Sequence, residues 1–269
     1  MKKITNCFII ASSLIFFGAN DVKSKQKELL SYQSVYEIVL DKEREIKNTF
    51  GKSYIKDANG ELLLDWYDNC SSWASNQRMY ISFMNSSGIG SISDINYSLK
   101  EDYDSSKMDF ALQVKENNIV VEQFSGSGKK NKKTLINLIS PVEKKLEFPK
   151  DVLFPHEHLK EIINKLGNVR EIFSNKVYEG TIPSHYLNIS TFINPEKVIE
   201  NDIDLPKDVF NEFWLIRMAY YKDSEQTPEM EMSARINKQG VVSFFKYDYP
   251  DYSLNIRLKK IQIIPNNCN

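Results

Sequence analysis

The sequence predicts a mainly β protein with one large, mainly antiparallel sheet and a single amphipathic helix around residues 156–166. Three observations support this prediction. Apolar and polar residues alternate in about a dozen segments, these segments are separated by the short spacings typical of β domains, and no strand–helix–strand rhythm is present. One-sided alternation means that each strand buries one face and exposes the other. Since no long low-complexity linker interrupts the pattern, residues 25–269 are expected to form one domain.

The first residues have the order of a secretory signal peptide. Lys2 and Lys3 precede an apolar run from about Phe8 to Phe17, and small residues follow. The run is shorter than the roughly 20 apolar residues that a membrane-spanning helix needs. We therefore expect residues 1–19 to be removed on export, with a cut after Ser24 as one alternative and an uncleaved anchor as a less favoured one. No second apolar stretch approaches that length, so the mature chain is not expected to span a membrane.

The charge of the chain argues against nucleic acid as a partner. The formal net charge is −1, and removal of residues 1–19 takes away Lys2 and Lys3 and no acid, which lowers it to −3. Binding to a nucleic-acid backbone depends on clustered cations. A nearly balanced chain of this size provides no such electrostatic attraction.

The strand predictions follow from alternation and from turn residues. Residues 31–41 alternate and place their larger apolar side chains on one face. Residues 50–68 predict two strands joined by Asn59-Gly60, a dipeptide typical of two-residue hairpin turns. Residues 107–124 predict a second hairpin, which turns at Asn117-Asn118. Later alternating strands are predicted in the segments SHYLNISTFI, FWLIRMAYYK, EMEMSARINKQGVVSFFKYDY and YSLNIRLKKIQII.

The helix is predicted by one apolar stripe at helical spacing. The stripe consists of Leu159, Ile162, Ile163 and Leu166. Pro155 lies near the first turn and Gly167 follows the last apolar position, and these are the residues expected at the start and end of a helix. A single amphipathic helix beside a large sheet is expected to cover an edge or to plug the concave side.

The cysteines predict a disulfide. The chain contains Cys7, Cys70 and Cys268, and loss of the signal peptide removes Cys7. An exported chain enters an oxidising compartment, where the two remaining thiols have one pairing, Cys70 with Cys268. A redox pair is the less favoured alternative, because catalytic cysteines usually lie close together in sequence beside a group that stabilises the thiolate.

No catalytic or metal-binding motif is assembled in the sequence, so we expect no metal and no cofactor. His156 and His158 form an HEH triplet, but residues two apart on a helix do not face each other, and zinc would need further ligands. We predict surface or capping histidines. A serine-hydrolase G-x-S-x-G motif is absent. The segment 124–133 departs from a phosphate-binding loop because Lys130 occupies the Ser/Thr position, which favours a flexible cationic hairpin tip.

Many aromatic residues lie on the alternating faces, and core packing is their default interpretation. A curved sheet alternatively leaves part of that face lining a groove for a lipid or an apolar peptide. The alternation is consistent with both a filled and a hollow interior.

Five segments, taken in their order along the chain, resemble a known family: YEIVL, GELLLDWYDNCSSW, DVLFPHEHLKEIINKLGN, VYEG and EMEMSARINKQGVVSFFKYDYPDYSLNIRL. Together they resemble the cell-envelope integrity EipB family of Gram-negative periplasmic proteins. The resemblance runs from about Tyr32 to Cys268. Its most specific parts are the LFPxxH motif before the helix and the two well-separated cysteines.

The resemblance implies a signal-bearing periplasmic protein folded as one long, strongly curved antiparallel sheet, a β-spiral of open-barrel shape. It also implies the Cys70–Cys268 disulfide. The Phe-Pro-x-x-His motif falls on Phe154, Pro155 and His158, and the Cys-x-x-Trp motif on Trp73, all as structural residues. The family is associated with envelope integrity, its sheet is similar in shape to those of periplasmic lipoprotein carriers, and a tetratricopeptide-repeat protein is the implied partner. It supplies no catalytic residues.

These observations support three functional hypotheses. The first is a non-enzymatic periplasmic binding or scaffold module that supports cell-envelope integrity. The alternative is a periplasmic lipid or lipoprotein carrier that uses the concave apolar face of the sheet. The third, which is the least favoured, is an envelope hydrolase that uses His158 and needs a carboxylate within hydrogen-bond reach of the ring.

Overall fold

The computed structural model describes residues 29–43, 54–168, 170–222, 225–265 and 268, so the predicted signal peptide lies outside the described residues. The described elements are β1 (Tyr32–Leu40), β2 (Ile55–Asp68), β3 (Ser72–Asn85), β4 (Gly90–Asp102), β5 (Lys107–Glu116), β6 (Ile119–Lys130), β7 (Thr134–Ser140), β8 (Lys144–Phe148), α1 (Pro155–Lys165), β9 (Glu171–Val177), β10 (Leu187–Ile199), β11 (Glu212–Lys222), β12 (Met230–Ile236), β13 (Val242–Asp248) and β14 (Ser253–Ile263). The helix agrees closely with the prediction. Among the described residues no helix has the length and apolar character needed to cross a membrane.

All fourteen described strands belong to one sheet, in the order β8-β7-β6-β5-β4-β3-β2-β1-β14-β13-β12-β11-β10-β9. The sheet therefore consists of two meanders, β1–β8 and β9–β14, which meet where β1 pairs antiparallel with β14. Strands β8 and β9 are its two edges, so strand pairing does not close the sheet into a barrel. The prediction of one long, curved antiparallel sheet is confirmed.

Strand β1 contributes to a large group of buried side chains from both meanders. Its inward face carries Tyr32, Tyr36 and Ile38, as the alternation predicts, and all three are buried. The hydroxyl of Tyr32 donates to the carbonyl oxygen of Gly240 at 3.1 Å, and that of Tyr36 donates to the carbonyl oxygen of Val242 at 2.9 Å. These bonds tie the first strand to the second meander across the interior as well as along the ladder.

The segment between β8 and β9 bridges the two edges of the sheet. Leu153 forms an isolated parallel bridge with Val177 of β9. The next residue, Phe154, lies on the other meander, where its Cζ is 2.7 Å from the position that a Cβ on Gly128 would occupy. Helix α1 then continues over the concave side, and its Ile162 and the following Leu166 are buried against β9–β12. The helix thus plugs the inside of the sheet, one of the two placements expected of it.

The predicted hairpin turn at Asn59-Gly60 is wrong. Strand β2 passes through both residues without a break and pairs with β1 on one side and β3 on the other. A Cβ on Gly60 would lie 2.0 Å from the carbonyl oxygen of Tyr80, so this glycine permits close approach of two backbones rather than a reversal of the chain. Pairing on both sides overrides the local preference of the dipeptide for a turn.

The predicted turn at Asn117-Asn118 is confirmed. The two residues have φ angles of 51° and 68°, the paired left-handed conformation of a two-residue hairpin turn. Asparagine tolerates this conformation better than most residues. The side chain of Asn117 also accepts a hydrogen bond from the backbone N–H of Ile92 at 2.9 Å, which fixes the turn to the neighbouring strand.

The predicted cationic hairpin tip is also present, because β6 ends at Lys130 and β7 begins at Thr134. The glycines that resembled a phosphate-binding loop lie inside β6. A Cβ on Gly126 would come within 2.7 Å of Phe110, and one on Gly128 would meet Phe154 at the same distance. These glycines therefore make room for two aromatic rings on the concave face.

The Cys70–Cys268 disulfide is present, with a sequence separation of 198 residues. Cys70 lies in the turn between β2 and β3, and Cys268 follows β14. The bond fastens the end of the chain beside the junction at which β1 joins the two meanders.

We expect Cys268→Ser to lower the melting temperature in oxidising buffer, because the disulfide limits the entropy of the unfolded chain. The chain-entropy estimate for so long a loop is about 5 kcal/mol, and measured values are often smaller. Thermal unfolding followed by circular dichroism, with and without reductant, measures the effect. The variant should be insensitive to reductant, and equal melting of the wild-type protein in both buffers would contradict the prediction.

We expect Gly128→Ala to destabilise the protein by about 1–3 kcal/mol, because the added methyl group collides with Phe154 in a packed interior. Gly90→Ala is the matched control, since Gly90 is also in a strand and its nearest neighbouring atom lies 3.7 Å away. Urea unfolding of both variants checks this. Equal stability of the two variants would show that Phe154 does not pack on Gly128.

Candidate functional site

The concave face of the sheet surrounds a cavity of about 760 Å³, within the range of roughly 300–1,000 Å³ typical of small-molecule sites. Both meanders and helix α1 contribute to its walls. The walls are mainly apolar and include Leu62, Leu64, Ile95, Leu99, Leu112, Val114, Leu159, Ile162, Ile182, Leu187, Ile216, Met218, Met230, Met232, Ala234, Ile236 and Phe245. The alternation in the sequence was consistent with either a filled or a hollow interior, and the interior of this structure is hollow.

The strand register orders the cavity along its length. At the end nearest the helix, Trp66 of β2 lies opposite Ser75 of β3, which lies opposite Leu99 of β4. Leu62 lies four residues from Trp66 along β2, which is about 13 Å at the usual rise of a strand. There Leu62 is opposite Met79 of β3, which is opposite Ile95 of β4. The alternation of the sequence places each of these residues on the inner face.

The other wall is formed by β11 and β12. The inner positions of β12 are Met230, Met232, Ala234 and Ile236, the four residues whose alternation was apparent in the sequence. Met218 lies opposite Met232 on β11. Methionine is unbranched and polarizable, so a wall rich in it adapts to the shape of a ligand.

The two ends of the cavity differ in exposure. At the helix end the lining residues Ser75, Leu99 and Ile162 are buried. At the opposite end the lining carboxyl groups of Glu122 and Glu229 are exposed. The cavity therefore has a closed end beneath the helix and a mouth that meets solvent.

The buried carboxylate of Glu101 on β4 anchors the helix N-terminus. This side chain is 0% exposed, and it accepts the backbone N–H groups of His156 at 2.7 Å and Glu157 at 3.1 Å. A carboxylate is favourable where the N–H groups at the start of a helix have no partner within the helix. Burial is the larger effect and raises the pKa of Glu101 to about 7.

His156 and His158 are buried, so of the predicted surface or capping roles the surface one is wrong for both. They are 1% and 5% exposed, and burial lowers their pKa values to about 3 and about 4. Both rings are therefore neutral at neutral pH. The ring of His156 packs 5.8 Å from that of Trp66 and 5.6 Å from that of Trp73. Alternating burial at 152, 154, 156 and 158 continues from the loop into the helix, and the apolar stripe of the helix did not reveal it.

The residues of the Phe-Pro-x-x-His and Cys-x-x-Trp motifs meet at the closed end. Pro155 and His158 line the cavity, whereas Phe154 and Trp73 are buried beside it. Trp73 stacks on Trp66 with a centroid separation of 5.6 Å. The motif residues therefore lie at the first turn of the helix, beside the cavity. Their structural role stays a prediction.

Three polar atoms in the cavity wall have no hydrogen-bond partner in the described part of the chain. They are Trp66 Nε1, Ser75 Oγ and His158 Nε2. The hydrolase hypothesis needs a carboxylate on the ring of His158, and none bonds Nε2 in this arrangement. Within the described ranges no group of three or more His, Cys, Asp or Glu side chains is placed to hold a metal. No pattern in the sequence indicated that these three atoms would be buried without partners, because their surroundings depend on the register of distant strands.

Glu179 is a partly buried carboxyl group in the cavity wall. It lies in the connection between β9 and β10, and its backbone carbonyl accepts the hydroxyl of Tyr97 from the opposite meander. Burial raises the pKa of its carboxyl group to about 7, although a hydrogen bond from Thr181 opposes the shift.

The comparisons with known proteins agree with this fold. A family model described as EipB-like matches residues 23–265. The chain is also similar in structure to a β-barrel-like protein of Brucella abortus, described as a domain of unknown function DUF1849. The TM-score is 0.80 at 19% sequence identity, over 88% of this chain and 99% of the other. A comparison with curated proteins finds no significant match.

Glu179→Gln is expected to change the pH dependence of stability. Because the folded-state pKa is raised above the unfolded value, protonation favours the native state, and this contribution is lost as pH rises from about 4.5 through about 7. The variant should therefore gain stability relative to the wild type over that window, by at most about 1.4 kcal/mol per pH unit.

Urea unfolding at pH 4.5 and pH 8 measures the difference. Glu122→Gln, at the exposed mouth, is the matched control and should follow the wild type at both pH values. Parallel pH profiles of Glu179→Gln and the wild type would show that Glu179 keeps its charge in the native state.

Proposed function

The chain belongs to the EipB-like family, and from this we propose that it is an exported, non-enzymatic binding protein of the periplasm that supports the cell envelope and holds an apolar ligand in its interior. The observation that carries the proposal is the cavity of about 760 Å³ between the two meanders. The ligand class that fits it best is an acyl chain. This favours a lipid or lipoprotein carrier over a scaffold with a packed core.

Physical chemistry supports an acyl chain as the occupant. The walls are apolar along their length, and each CH₂ group moved from water into such a site contributes about 0.8 kcal/mol. The methionines Met218, Met230 and Met232 can adjust to chains of different length. The exposed mouth at Glu122 and Glu229 is the route by which such a chain would enter.

The disulfide supports export. Disulfides form and persist in oxidising compartments, and the Cys70–Cys268 bond joins the turn between β2 and β3 to the segment after β14. The periplasmic location, the role in envelope integrity and a tetratricopeptide-repeat partner follow from the family resemblance. A carrier needs a partner that delivers or receives its cargo, which is consistent with such an assignment.

Ala234→Phe is expected to reduce the lipid load of the protein, because Ala234 is buried in the cavity wall and a phenyl ring there fills space that a chain would occupy. Native mass spectrometry of protein extracted without detergent from the periplasm of the expressing cells measures the load. The wild type should carry lipid of acyl-chain mass.

The matched control is Ser233→Phe, because Ser233 is the neighbouring residue on the outer face of β12. It should keep the wild-type load, and melting curves show whether each variant folds. A lipid-free wild type, or an undiminished load in a folded Ala234→Phe, would reject the carrier. In a deletion strain challenged with detergent, Ser233→Phe should restore resistance better than Ala234→Phe. Unchanged sensitivity on deletion would reject the envelope role.

A further inference from the structure

The end of the β3–β4 hairpin contains no charged side chain. Its last charged residues are Arg78 on β3 and Asp94 on β4, which form an ion pair at 3.0 Å. Residues 79–93 include the end of β3, the turn and the start of β4, and none of them is Asp, Glu, Lys or Arg. Because 26% of the chain is charged, a stretch of this length at a hairpin end would ordinarily contain several charges.

Two hairpin ends expose aliphatic side chains instead. In the β3–β4 hairpin, Met84 is 47% exposed and Ile89 is 67% exposed. In the β5–β6 hairpin, Ile119, Val120 and Val121 are 68%, 47% and 58% exposed. We call residues 84–89 and 117–121 the neutral tips, since neither range contains a charged residue. Exposed apolar surface of this kind is unfavourable in water and marks a site of contact with a partner.

Hydrogen bonds hold the neutral tips side by side. The backbone N–H of Asn117 donates to the carbonyl oxygen of Ile92 at 2.8 Å, and the N–H of Ile92 donates to Oδ1 of Asn117 at 2.9 Å. Within the first tip, the N–H of Ile89 donates to Oδ1 of Asn85 at 2.9 Å. The two tips therefore belong to one ordered surface.

The neutral tips adjoin the mouth of the cavity. Glu122, which lines the mouth, directly follows the second tip. Next to the first tip, the ring of Phe83 lies 5.6 Å from that of Tyr252, which lies 5.0 Å from the ring of Tyr249. Tyr249 lines the cavity. Tyrosine combines an apolar ring with a polar hydroxyl, which suits the boundary between a bilayer and water.

The charged residues that flank the neutral tips along β2–β6 have both signs: Lys56, Asp57, Arg78, Asp94, Lys115, Glu116 and Glu122. They form no cluster of cations, so this surface has no electrostatic preference for an anionic partner. Aliphatic side chains without a charge between them suit the hydrocarbon of a bilayer, because their insertion removes apolar surface from water and dehydrates no ionised group.

We propose that the neutral tips are a docking surface for a lipid bilayer, with their aliphatic side chains inserted among the lipids and the cavity mouth beside the membrane. An acyl chain then passes between the bilayer and the apolar cavity with little exposure to water. This inference rests on the proposed function and adds the source of the cargo and the face of the protein that meets it.

Co-sedimentation with vesicles of pure phosphatidylcholine tests the surface. Ile89→Asp and Ile119→Asp each place a charge where the proposal inserts an aliphatic group, and each should lower the partition coefficient about ten-fold or more. Ile172→Asp is the matched control, because Ile172 is 74% exposed on the edge strand β9 of the other meander, and it should bind as the wild type does. Raising the salt from about 0.05 M to about 0.5 M should change wild-type binding less than about two-fold, since no cation cluster takes part.

A fluorescent label gives the orientation. Nitrobenzoxadiazole attached to the thiol of Ile89→Cys should shift its emission to the blue on vesicles, whereas the same label on Ile172→Cys should not. Vesicle binding that survives both aspartate substitutions in folded protein would overturn the surface, as would dimerisation through the tips without vesicle binding. A lipid-loaded wild type that binds no vesicles would overturn this inference and leave the carrier function standing. Tip-dependent binding by a lipid-free protein would support the docking surface and reject the carrier.

Discussion

The pairing of β1 with β14 is the constraint on which the rest of the structure depends. In the described sheet every other strand pairs with a neighbour in sequence, so each meander is local and only this ladder joins the two halves. Tyr32 and Tyr36 reinforce it with hydrogen bonds across the interior, to Gly240 and Val242. Bringing strands together from the two ends of a chain is entropically costly, and the disulfide beside the junction lowers that cost by limiting the unfolded chain.

The hollow interior follows from the way the two meanders meet. A sheet of fourteen strands encloses more volume than its own side chains fill, and its free edges β8 and β9 are bridged by a connection rather than by a ladder. That connection brings Phe154 and the helix to one end only. The helix therefore closes the cavity at one end and leaves a mouth at the other.

The closed end combines several arrangements that weaken a fold unless they serve another purpose. A buried carboxyl group holds the helix, two histidines are kept neutral by burial, and three polar atoms lack partners. The stability of the fold depends on pH in opposite directions through these groups. Protonation of Glu101 or Glu179 favours the native state, whereas protonation of His156 or His158 disfavours it. Conflicts of this kind between local stability and local chemistry are expected at functional sites.

The sequence by itself determined the elements of this protein. Period-two alternation located the strands, the helical stripe located α1, Asn117-Asn118 marked a turn, and cysteine counting predicted the disulfide. Only the tertiary structure decided that β2 runs straight through Asn59-Gly60, because a strand held on both sides overrides a turn preference. It also decided that His158 is buried and that the interior is hollow. Alternation records which face of a strand points inward, but the volume enclosed and the partners of each inward atom depend on the curvature and register of strands far apart in the chain.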